Sequence, residues 1–244
     1  MNYVQLERCN LATLTIERPS AVMSAGADRS WGALYRAGGV AALLCAALSI
    51  ADLALIFILP PLPSSTGAAT LAYIVANRPG YTLFQALLVG PVAFTLVTFP
   101  ALYIALKPLN KSCAAAGSVI GIASVVLCLV PFSSVNGLVY LSYRYAAATS
   151  DAQRTALASA AESLLAQNNS VSAGGVLFAA SILILSVVML KGVFPKSLAC
   201  LGIASGVVGI FCESLRPVIG AAFSIYGILL VWLIAVGWKL YKLP

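Results

Sequence analysis

The stretch LYRAGGVAALLCAALSIADLALIFIL, residues 34–59, holds Arg36 near its start, Asp52 in its second half and no other charge. About 20 consecutive apolar residues cross the hydrocarbon core of a bilayer, so this run is long enough to span one. Pro60, Pro61 and Pro63 stop it, because proline offers no N–H and its ring clashes with the preceding turn. Five further apolar stretches follow at 81–106, 113–132, 172–190, 198–215 and 218–240. The second of the six spans contains Pro91 and Pro100, which a membrane helix tolerates as kinks when its neighbours satisfy the freed carbonyls.

Composition points the same way. Of the 244 residues, 61% are hydrophobic and 9% charged, against roughly 25% charged in a soluble domain, which excludes a soluble globular protein. The expected fold is all-α: a polytopic membrane bundle of six transmembrane helices over 34–243, preceded by a tail, 1–33, and covered by an extracytoplasmic helical cap. The tail reads as polar and disordered. It has no apolar segment, so no cleaved signal peptide is expected and the first span serves as insertion signal; a start at Met1 or at Met23 leaves a basic leader in either case.

Fourteen Lys and Arg against seven Asp and Glu give a net charge of +7. Ten of the fourteen (Arg8, Arg18, Arg29, Arg36, Lys107, Lys111, Lys191, Lys196, Lys239 and Lys242) fall in the terminal segments and in the loops after spans two and four. Arg78, Arg144, Arg154 and Arg216 fall on the other side. The positive-inside rule then puts both termini in the cytoplasm, with Trp31, Tyr35, Trp238 and Tyr241 as an inner aromatic belt. Topology accounts for the basic excess, and no basic run is interleaved with aromatics, so nucleic acid is not an expected partner.

Two outer segments are too long for turns. Residues 60–80 are rich in Pro, Ser, Thr and Ala, whereas 133–171 contain a helix at 151–167. There, Ser150 and Gln153 match a capping box, and Leu157, Ala160, Ala161, Leu164 and Leu165 form an apolar face. Asp151, Thr155, Ser159 and Glu162 form the polar face, and Asn168 and Asn169 stop the helix. The apolar face lacks the bulky anchors of membrane binders, which favours capping the bundle over lying on the membrane. Tyr140, Tyr143 and Tyr145 around Arg144 suit an interfacial anchor. Within the spans, Gly117 with Gly121, Gly202 with Gly206 and Gly220 with Ser224 place small residues on one face, where helices of the same chain approach closely.

The absence of histidine removes the commonest general base and most zinc and haem sites. The six cysteines (Cys9, Cys45, Cys113, Cys128, Cys200 and Cys212) stand singly, without CxxC spacing, and read as small packing residues. A Cys128–Cys212 bridge is the one conditional exception, since both lie near outer span ends. Ser124, Ser181, Ser186, Ser205 and Ser224 have no histidine or deep lysine to activate them and are expected to bond the preceding turn. No TVGYG-like filter or phosphate-cradling glycine motif is present. No catalytic residue, metal or cofactor is therefore expected.

Two carboxylates lie within or at the edge of spans, where their cost makes them functional candidates. Asp52 is in the outer half of span one and Glu213 near the outer end of span five. Gln85 stands at the outer start of span two, and Arg216 follows Glu213 by three residues on the same helical face. In a structural reading Glu213 pairs with Arg216, and Asp52 with Arg78 or Arg144, to fix helix register. In a functional reading these groups converge in a polar pocket beneath the cap, where a carboxylate binds a proton or cation and couples it to a small substrate.

YRAGG at 35–39, LYIALKPLN at 102–110, FPKSLACLG at 194–202 and GWKLY at 237–241 complete the picture. Together they make the chain resemble an uncharacterised family of prokaryotic six-span integral membrane proteins, a domain of unknown function, over residues 34–243. The resemblance implies a six-helix bundle in a prokaryotic inner membrane and supplies no activity, substrate or active residues. A histidine that members often carry near span four is missing here. The expected protein is thus multi-pass, with the lipid bilayer as surroundings and a small amphiphile or a membrane protein as partner. It is a non-catalytic accessory or a small-amphiphile/lipid-binding protein; the alternative is a small proton-coupled secondary transporter using Asp52 or Glu213. An inverted repeat would favour transport, but spans one to three and four to six differ in loop length and proline placement.

Overall fold

The computed structural model describes residues 28–60, 66–129, 132–168, 170–219 and 227–243. The described residues form helices and no strand. In order these are α1 Gly32–Ile58, α2 Gly67–Ala76, α3 Arg78–Leu106, α4 Lys111–Leu129 and α5 Phe132–Ala147. They continue with α6 Asp151–Asn168, α7 Ala173–Met189, α8 Lys196–Ser214, α9 Arg216–Ile219 and α10 Gly227–Tyr241. Five helical stretches, containing α1, α3, α4, α7 and α8, are long and apolar enough to cross a membrane, and α10 is shorter over its described residues.

Local chemistry sets the helix ends. Leu59 turns extended, with ψ 145°, ahead of Pro60. Thr66 Oγ1 accepts from the Ala69 N–H at 3.2 Å and Ser172 Oγ from the Gly175 N–H at 3.0 Å, capping α2 and α7. The turn between α7 and α8 uses Gly192 at φ 150°, a conformation that side chains disfavour.

Six helices close into a ring in chain order: α1 packs on α3, α3 on α4, α4 on α7, α7 on α8, α8 on α10, and α10 back on α1. Four seams carry a hydroxyl bonded to a backbone carbonyl of the neighbour. Thr98 donates to Gly38 O (3.2 Å), Ser118 to Phe99 O (3.2 Å), Ser181 to Gly117 O (2.8 Å) and Ser205 to Ile228 O (3.2 Å). Each such bond is worth about 0.6 kcal/mol in a membrane protein. Glycine closes the other two seams. Gly202 and Gly206 of α8 lie against Ser186 and Leu183 of α7, and Gly39 of α1 meets Gly237 of α10. Gly117 faces Leu185 of α7 and Gly121 faces the Phe99 ring of α3, so every described glycine of the expected pairs meets another helix of the same chain. Of the serines expected to bond the preceding turn, Ser124 and Ser205 do so, Ser205 also bonding across a seam, whereas Ser181 bonds only across a seam and Ser186 Oγ has no partner among the described residues.

At one end of the ring sits a three-helix cap with its own small core, Leu71, Ile74, Tyr81, Leu138 and Ala161. It unites α2, α5 and α6. The cap is larger than the sequence suggested, because residues 60–80 hold α2 and the tyrosine segment is α5. Gly67, Thr70, Leu71 and Ile74 are buried at helical spacing, which gives α2 its reason to fold. On α6, Leu157, Ala161, Leu164 and Leu165 pack inward, Ala160 stays exposed, and Glu162 Oε1 of the expected polar face accepts from the Gly67 N–H at 3.2 Å. Ser150 Oγ accepts from the Gln153 N–H at 3.3 Å, while Gln153 reaches back to the Thr149 N–H at 3.4 Å.

Span boundaries shift accordingly. The helix of the second span begins at Arg78, three residues before its expected start. Pro217 cannot continue α8, so the chain bends at Leu215 and restarts as α9, between the expected fifth and sixth spans. Residues 220–226, with Gly220 and Ser224, lie outside the described residues, as do the tail to residue 27, Cys9 and Met23. At the end opposite the cap, Lys107 Nζ lies 5.3 Å above the Trp31 ring and Lys242 Nζ 4.3 Å above Trp238, a basic and aromatic rim.

Candidate functional site

Cys45, Ser49 and Asp52 follow each other on α1 at spacings of four and three, so they share one helical face. That face looks into a cavity of about 170 Å³. Leu87, Leu88 and Val92 of α3 form a second wall, Phe178 of α7 a third, and Leu229, Leu230 and Leu233 of α10 the last. The cavity therefore sits among four of the six ring helices and is apolar except along the α1 face.

Asp52 is 2% exposed, and its Oδ1 is buried without a hydrogen-bond partner. Neither arginine expected beside it is there. Arg78 stacks on the Tyr143 ring of α5, its Cζ 3.7 Å from the centroid, and Arg144 Nη1 donates to Tyr140 OH at 3.1 Å. Both are held by cap tyrosines, because those rings offer π faces and a hydroxyl close to the arginines' own helices.

Glu213 fares differently. Its Oε2 lies 3.3 Å from Arg216 Nη1, an ion pair within one turn at the end of α8. Gly175 of α7 leaves no room for a Cβ beside this carboxylate, and the adjacent Gly174 abuts Cys128 of α4. Cys128 and Cys212 are free thiols, so the conditional bridge is absent from the structure.

The four polar residues singled out in the sequence thus do not converge. Glu213 and Arg216 pair with each other, and neither they nor Gln85 line the Asp52 cavity. Gln85 Oε1 is buried without a partner elsewhere on α3. Ser49 and Cys45 were not singled out, although a polar stripe at helical spacing leading to an intramembrane carboxylate is a readable signal. The apolar walls carry no such signal, since Leu and Phe are ordinary in every span.

Among the described residues, no group of three or more Cys, Asp and Glu is placed to hold a metal ion. A second hollow, about 250 Å³, opens on the cap between α2 and α5 beside Arg154, whose Nη2 donates to Ala148 O at 3.3 Å. It shares no lining residue with the Asp52 cavity.

No curated protein and no solved structure matches the chain. Residues 31–240 match the family described as Domain of unknown function (DUF4386), and the chain, matched over most of its length, belongs to that family.

Proposed function

We propose that this protein is a non-catalytic membrane protein that binds a small amphiphile inside its helix ring, with Asp52 as the polar anchor. One observation carries the reading: a carboxylate 2% exposed, its Oδ1 unpartnered, facing an otherwise apolar cavity. A charged group at membrane depth costs about 2.5–3.5 kcal/mol even by insertion scales, and a purely structural carboxylate recovers that cost through a partner, as Glu213 does. Size narrows the ligand. An engineered cavity of about 150 Å³ holds benzene, so about 170 Å³ suits a compact molecule rather than a whole phospholipid. The excess of basic residues around the termini supports a prokaryotic inner membrane with both termini cytoplasmic.

The test is thermal unfolding of the purified full chain in mild detergent against small amphiphiles. A ligand at 100 times its Kd raises stability by about 2.7 kcal/mol. A rise in wild type that is lost when Leu230→Trp fills the cavity is expected; no rise with any amphiphile overturns the reading. A second reading, proton-coupled transport, is favoured by the same free carboxylate and now rests on Asp52 alone, since Glu213 is engaged by Arg216. Proton uptake by reconstituted vesicles on substrate addition would support it, and unchanged uptake in Asp52→Asn would remove it.

A further inference from the structure

The cavity holds a carboxylate and no cation to balance it. Asp52 Oδ1 is unpartnered, and the Ser49 hydroxyl lies nearly one turn before it on the same wall. On the facing wall, Pro91 lies inside α3. It has no N–H for the carbonyl four residues back, and that residue is Leu87, itself part of the cavity lining. None of the lining residues carries a positive charge. Phe178 adds an aromatic ring to the lining.

Building on the amphiphile reading, we infer that the occupant is a primary ammonium ion on a compact apolar body. An ammonium has three N–H donors and no acceptor, and Asp52, Ser49 and the Leu87 carbonyl supply three acceptors. The carboxylate neutralises its charge, while the leucines and Phe178 take the hydrocarbon. An anionic amphiphile would meet Asp52 with no cation to balance it. A bare alkali ion would use the oxygens and leave the apolar walls, most of the lining, without a role. Pro91 thereby acquires a purpose: the proline that removes one helical bond from α3 frees the acceptor.

The experiment compares benzylamine with benzyl alcohol, nearly equal in size, on the full chain in detergent, reading thermal shift and equilibrium binding. Benzylamine is expected to bind wild type about tenfold or more tightly than the alcohol, as charged hydrogen bonds warrant. Asp52→Asn is expected to remove that preference and keep alcohol binding. Pro91→Ala, which restores an N–H to the Leu87 carbonyl, is expected to weaken benzylamine several-fold while raising thermal stability; it serves as the second test should Asp52→Asn fold poorly. Equal binding of amine and alcohol overturns the ammonium inference and leaves the amphiphile reading standing. Binding of neither overturns both. Stabilisation by sodium or potassium chloride at equal ionic strength, with none by benzylamine, replaces the inference with an inorganic cation site.

Discussion

Gly39 and Gly237 stand backbone against backbone where the first and last helices of the ring meet. A Cβ on Gly39 would lie 2.6 Å from both the Gly237 carbonyl oxygen and the Tyr241 nitrogen, neither of which can swing aside. Gly39→Ala should therefore lower the thermal midpoint in detergent. The overpacking cost is about 1–3 kcal/mol, against a helix-propensity gain of about 1 kcal/mol from replacing glycine. Gly90→Ala is the control: its Cβ meets nothing within 4 Å, so the midpoint should hold or rise. Equal losses in both variants would mean that the α1–α10 seam is not closed by glycine contact.

The cap has a comparable lock. A Cβ on Gly67 would collide with the Ala158 carbonyl of α6, and the Glu162 carboxylate satisfies an N–H at the positive end of α2. Glu162→Gln should weaken this contact by about 1 kcal/mol or less, the scale of a capping interaction, and Gly67→Ala should displace α2 from α6. Hydrogen exchange should then quicken in α2 and α6 while α4 and α7 keep their protection. Faster exchange throughout the ring would show that cap and ring unfold as one unit.

Much of the ring was legible in the sequence because hydrocarbon imposes one simple demand, a long apolar helix, and 34–59 meets it visibly. The cap was less legible. Its helices are short and part apolar, so Gly67, Thr70, Leu71 and Ile74 had to be read by spacing inside a segment dominated by proline, serine and threonine. The break before Pro217 falls where spans 198–215 and 218–240 were separated, since proline cannot continue a helix. At the candidate site, Asp52 was conspicuous as a charge in a span, but its freedom from Arg78 and Arg144 was not. That freedom depends on Tyr143 and Tyr140 capturing the arginines, a matter of three-dimensional position. The walls of the cavity come from four helices distant in sequence and made of leucines that resemble every other leucine in the chain.

Just before α1, the Ser30 hydroxyl and the Ser30 N–H, the latter donating to Asp28 Oδ1 at 3.0 Å, together hold the Asp28 carboxyl below its ordinary value of 3.8. A depressed folded-state value means that the contribution is fully present above the unfolded value and disappears as pH falls through the folded one. Carbon-detected NMR in micelles should place the Asp28 titration below 3.8, and the first turn should show no change in fraying between pH 5 and 8. A titration at or above the ordinary value would mean that the cap is open in solution.

Glu213 and Arg216 provide the test that separates scaffold from site. Their side chains are 7% and 17% exposed, and removing one partner of a buried pair costs about 3–5 kcal/mol because the other charge is left uncompensated. Partial exposure of Arg216 puts the expected loss at or below the low end of that range. Glu213→Gln and Arg216→Gln should each lower the thermal midpoint, and the double variant should lose less than the two singles combined, because it strands no charge. Ligand binding in the Asp52 cavity should be the same in all three folded variants, since neither residue lines it. If Glu213→Gln instead abolished binding while its fold persisted, the carboxylate at the end of α8 would belong to the functional machinery and Asp52 would not act alone.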